Sequence, residues 1–162
     1  MNLITDRTAL DVERWIELRN KGWNGMSDSE RSEWLGELTT TPNAAKGMYS
    51  YKDLNRVESA VKALSERLNT LGYKHSPLTV KLNWTYTDEV WRGDMERYLN
   101  NIEALRETVT VFPNTPPTPT PNDNLNYTLA NDIEKILVDI DTVATNIVKA
   151  KHYVGEIISG EV

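Results

Sequence analysis

The feature that most constrains this chain is a tetrapeptide of aspartate, an apolar residue, Glu or Asn, and then Arg or Lys. It recurs as Asp11-Val12-Glu13-Arg14, Asp53-Leu54-Asn55-Arg56, Asp94-Met95-Glu96-Arg97 and Asp132-Ile133-Glu134-Lys135. The copies stand about 40 residues apart, a spacing that points to a fold assembled from repeated units. Behind each aspartate of the last three copies, apolar residues recur in alternating steps of three and four. They are Leu54, Val57, Val61, Leu64 and Leu68; Met95, Tyr98, Ile102, Leu105 and Val109; and Ile133, Ile136, Ile140, Val143 and Ile147. Such steps place the residues on one stripe of a helix, the a and d positions of a heptad. Three stripes in a common register predict a mainly all-α helical bundle, with long helices over 51–71, 88–109 and 129–152. The first copy begins correctly with Val12 and Trp15 but carries Arg19 where the stripe would continue, so its helix is expected to be short and to end near Gly22.

Boundary residues support these positions. Thr8 precedes Asp11, and Ser50 precedes Asp53, by three residues, as in a capping box with Asp in place of Glu. Ser27-Asp28-Ser29-Glu30 opens a further short amphipathic segment, 27–38, with Trp34, Leu35 and Leu38 on one side. Gly72 is expected to end the second long helix, and Thr128 to cap the last. The pairs Asp11/Arg14, Asp53/Arg56, Asp94/Arg97 and Asp132/Lys135 read as i, i+3 ion pairs on first helical turns, architecture rather than acid–base machinery.

Three segments break the helical pattern. Residues 78–84 alternate apolar and polar side chains after Pro77, which predicts one short strand paired with 108–112, the C-terminal tail or another subunit. Five prolines between Pro113 and Pro121 predict an extended linker. The closing Gly155-Glu156-Ile157-Ile158-Ser159-Gly160-Glu161-Val162 reads as an extended docking tail, because its glycines break the preceding helix. The expected organisation is a helical domain over 1–112, a Pro/Asn-rich linker over 113–127, and a helix with tail over 128–162 that packs on the same bundle or on a neighbouring subunit.

Composition narrows the function classes. A net charge of −6 without a basic block argues against nucleic acid as a partner. No cysteine means no disulfide, thiolate zinc site or cysteine nucleophile, and two histidines, His75 and His152, exclude a three-histidine metal site. The Asn122–Asn126 run lacks the glycine and the final carboxylate of an EF-hand. No nucleophile elbow, phosphate loop or dinucleotide fingerprint occurs, and a wall-hydrolase carboxylate pair is not singled out. No catalytic residue, cofactor or metal is therefore expected. The N-terminus lacks the order of a signal peptide and no window has the apolar length of a membrane span, so no membrane is expected as a partner. Trp15 and Tyr98 read as core. Trp23, Trp84 and Trp91, with Ile157, Ile158 and Val162 of the tail, are the candidate interface residues.

Tyr51–Glu58, Asp94–Ile102 and the closing Gly155–Val162 also resemble small tail-associated structural proteins of phages and prophages of Gram-positive bacteria. The opening Met1–Thr8 and the Ser29-Glu30 to Leu35 segment fit the same group. The resemblance implies a non-enzymatic virion component of the tail tip, baseplate or fibre, made in the host cytoplasm and present in several copies. Its implied partners are itself, as a homo-oligomer for which a trimer suits a fibre or tip, and other tail or baseplate proteins. The alternative is a receptor-binding or cell-wall carbohydrate-binding module in which the tryptophans face a glycan.

Overall fold

The computed structural model describes residues 2–159, with side chains described from 2 to 153. Among these residues the protein is all-α, with six helices and no strand. They are α1 (Ala9–Gly25), α2 (Asp28–Trp34), α3 (Ala44–Gly47), α4 (Tyr51–Thr70), α5 (Arg92–Thr108) and α6 (Tyr127–Ser159).

Helices α4, α5 and α6 pack on one another as a three-helix bundle. Its core holds Leu54, Val57, Val61, Leu64 and Leu68 of α4, Tyr98, Ile102 and Leu105 of α5 with Val109 beyond it, and Ile133, Ile136 and Ile140 of α6. These are twelve of the fifteen heptad positions of the sequence; Met95, Val143 and Ile147 are only half-buried. Leu137 and Ala144 are fully buried as well, widening the α6 stripe because this helix faces both α4 and α5. Helices α1, α2 and α3 form a small separate lobe around Leu18, Met26 and Ala44, with Trp15 and Trp34 against it. Within α1, Gly22 adopts φ 65 and ψ 162, a left-handed kink where the first helix was expected to stop.

The helix ends show why local sequence sets them. Capping boxes close at Thr8/Asp11, Ser27/Glu30 and Ser50/Asp53. Gly72 sits at φ 92 beyond α4, with the Tyr73 N–H donating to Leu68 O and the Gly72 N–H to Asn69 O, a Schellman closure. The expected Thr128 cap is corrected: α6 begins one residue earlier, and the Asn126 side chain accepts from the Leu129 N–H.

Two further expectations are overturned. Residues 78–84 form no strand, because helix side chains satisfy their backbone: Lys81 N donates to Glu58, Trp84 N to Asn55, and Thr79 O accepts from Arg97 and Asn101. The C-terminal segment is helical through Ser159, so Gly155 lies inside α6, where an isolated glycine lowers stability without stopping the helix. Gly160, Glu161 and Val162 lie outside the described residues. The proline-rich stretch is held against the bundle, with Thr115 donating to Asp139 of α6 and Pro116 O accepting from Arg106 of α5.

Candidate functional site

The polar interior of this chain joins charges of the repeated tetrapeptide, Asp53, Arg56, Arg97 and Glu134, to Arg7 and Glu58, which lie outside it. Arg7, on the segment before α1, is 4% exposed. Its Nη2 donates to Asp53 of α4 at 2.9 Å and to Glu134 of α6 at 2.7 Å, and its Nη1 to Ile4 O at 2.7 Å. Arg56 completes the cluster on the same two carboxylates, and Asn131 exchanges two hydrogen bonds with the Arg7 backbone. Burial works against the Arg56 charge, but the Glu134 and Asp53 carboxylates outweigh it and raise its pKa. A second buried acid, Glu58 of α4, is 1% exposed and accepts from Lys81 N, Trp84 Nε1 and both Arg97 Nη atoms at 2.7–2.9 Å. Each cluster ties a non-helical segment to the bundle. Buried charges need such partners, because an unpaired one costs several kcal/mol, on the order of 3–5.

The expected i, i+3 pairs are corrected by the same geometry. Only Asp53/Arg56 forms among the four. Arg14 turns to Glu17, Glu30 and Glu33, Arg97 crosses to Glu58, and Lys135 pairs with Asp139. Asp11 and Asp53 are buried and stitch segments together: Asp11 accepts from Asn43 N across the small lobe, and Asp53 from Arg7. Burial pushes the Glu33 carboxyl up, but its bonds with Arg14 and the Ala44 N–H prevail and its pKa is lowered.

Between the small lobe and the start of α6 lies an open cleft of about 440 Å³, lined by Arg7, Trp15, Lys46, Tyr49, Asn126 and Tyr127 among others. Small-molecule sites occupy roughly 300–1,000 Å³. Two of its lining residues carry buried donors without a partner, Arg7 Nε and Trp15 Nε1. An unmet buried donor costs about 1–3 kcal/mol, so two on the lining of one cleft ask for an explanation. Tyr49, beneath the Arg7 guanidinium, shares a 2.5 Å hydroxyl bond with Tyr98, and burial raises both phenol pKa values.

The candidate interface residues fall in different environments. Trp84 is 3% exposed and part of the bundle core, where its indole donates to Glu58 and Lys81 lies 3.7 Å over its ring. Trp91 is 67% exposed just before α5, in the same loop as Val90 and the 85% exposed Tyr86. Trp23 is half exposed after the α1 kink, with Arg31 stacked 5.4 Å from its ring. Ile157 and Ile158 lie on the last turns of α6, and Val162 lies outside the described residues. Tyr98 is core, whereas Trp15 is half-buried in the small lobe. His75 is half-buried and held by Ser65 and Ser76, and His152 is exposed.

Among the described residues no group of three or more histidine or carboxylate side chains could hold a metal ion, and no helix is long and apolar enough to cross a membrane. Arg7, Glu58, Glu134 and Asp139 went unmarked by sequence reasoning. The faint signal for Glu134 was its third place in the repeated tetrapeptide, the place that Asn55 fills in α4 when it grips Trp84 through both backbone groups. The chain matches no protein-family model, no curated protein and no solved structure.

Proposed function

We propose that this chain is a non-enzymatic structural protein of a phage or prophage virion, an adaptor of the tail, baseplate or fibre that acts through helix packing and self-association. The observation that carries this reading is the exposed apolar loop of Tyr86, Val90 and Trp91 beside a bundle in which the buried Arg7, Asp53, Glu58 and Glu134 each pair with an opposite charge. Carboxylates and arginines spent on holding segments together are not available to turn over a substrate, whereas large exposed aromatics are the residue type enriched at interface centres. The family resemblance of the repeated helices supplies the biological setting, and a trimer suits a fibre or tip. Light scattering from about 1 to 100 µM tests self-association over the range where weak subunit contacts appear. A mass above the monomer that falls on Trp91→Ser supports the adaptor role, and a monomer throughout opposes it. Antibody labelling of intact particles tests the virion location.

The exposed Tyr86 and Trp91 rings also favour a second reading, a receptor-binding or cell-wall carbohydrate-binding module, since flat aromatic faces stack on sugars. Retention of the purified chain on cell-wall polysaccharide, lost with Trp91→Ser, would favour that module over the adaptor.

A further inference from the structure

The geometry points to the cleft between the small lobe and α6 as a binding site for a carboxylate attached to an apolar group. Two of the residues that line it hold buried donors with no acceptor. Arg7 uses both Nη atoms on Ile4, Asp53 and Glu134 and keeps Nε unpaired, while Trp15 Nε1 is unpaired on the opposite lobe. A hydroxyl or amide ligand brings donors of its own into such a place, whereas an ionised carboxylate is acceptor-only.

The surrounding field has the same preference. Asn126 and Tyr127 bring the N-terminus of the 33-residue α6 to the cleft wall. A helix start carries partial positive charge and N–H groups without intrahelical partners. Asn126 Oδ1 occupies only the Leu129 N–H. Lys46 stands at the rim with its ammonium against the exposed Asp6 carboxylate at 2.5 Å, a pair that an incoming anion can rearrange. Arg7 is already neutralised by Asp53 and Glu134, so it contributes a directed donor rather than a free charge. Trp15, Tyr49 and Tyr127 supply apolar surface for the body of the ligand.

The carboxylate could come from a small acid or from a peptide, and the two sources are separable. The full chain, labelled with ¹⁵N, is titrated with phenylacetate, with phenylacetamide as the neutral match, and with N-acetyl-Ala-Glu-Ala-amide as a peptide side-chain carboxylate. A saturable shift of the Trp15 indole N–H with phenylacetate or the Glu peptide, absent with phenylacetamide, is the expected result, and whichever acid binds more tightly identifies the source. Trp15→Phe keeps an aromatic face and deletes the donor, and it should weaken binding about tenfold, followed through the Tyr127 amide. Lys46→Ala, at the rim, should weaken the acid and leave the melting temperature in place. The proposal is overturned if no probe shifts the indole, if the acid and the amide shift it alike, or if Trp15→Phe binds the acid unchanged.

Discussion

Replacing Glu58 by alanine is the most direct test of how this bundle holds its irregular segments. The carboxylate accepts four hydrogen bonds, from Lys81 N at 2.7 Å, Trp84 Nε1 at 2.9 Å, and Arg97 Nη1 and Nη2 at 2.7 and 2.8 Å. Truncation leaves a buried indole N–H without an acceptor and a guanidinium without its counter-ion, whose pKa the Glu58 hydrogen bond raises. Breaking a buried pair from one side costs roughly 3–5 kcal/mol, against a total stability of about 5–15 kcal/mol for a domain. At about 2–4 °C per kcal/mol for a chain of this size, the melting temperature should fall by roughly 6–20 °C. Urea unfolding followed by circular dichroism measures the loss. A double-mutant cycle with Arg97→Met should return a coupling of about 0.5–3 kcal/mol. The Trp84 indole resonance should move toward a solvent-exposed position as residues 78–84 lift from α4. A Glu58→Ala chain within about 0.5 kcal/mol of the parent, with the Trp84 resonance unmoved, would refute the claim that this carboxylate anchors the segment.

Three other outcomes follow from named contacts. Ile140→Asp puts a charge into the fully buried face of α6 and should cost about 4 kcal/mol or more; a neutral melt would mean that the face meets water. A Cβ on Gly47 would lie 2.1 Å from Asp11 O, so Gly47→Ala should destabilise the small lobe by roughly 1–3 kcal/mol, read as faster amide exchange in α1 and α3 than in α5. The Glu33 pKa is lowered on folding, so its stabilisation is complete above the ordinary glutamate value of about 4.3 and drains away as pH falls through the lower folded value. Acid should therefore loosen the Trp15 and Trp34 signals, and an unaltered acid transition in Glu33→Gln would remove Glu33 as the cause.

What the sequence determined by itself was everything that repeats at short range. Side chains three and four residues apart share a helix face whatever lies opposite, so Leu54 to Leu68 and Ile133 to Ile140 could be assigned to a core from their spacing alone. Thr8, Ser27, Ser50 and Gly72 act on backbone groups within a few residues of themselves, so most helix ends were legible too. Other features were decided only in the tertiary structure. Periodicity two suggested a strand at 78–84, but the acceptors and donors that replaced a ladder partner come from α4 and α5, up to 29 residues away. The glycine at 155 suggested a stop, yet a single glycine is a modest cost that a long helix absorbs. Arg7 meets Asp53 across 46 residues and Glu134 across 127, and the cleft is lined by residues as distant in sequence as Arg7, Lys46 and Tyr127. No local pattern encodes these pairings, because the energy of a buried charge depends on which distant partner arrives beside it and not on its neighbours in the chain.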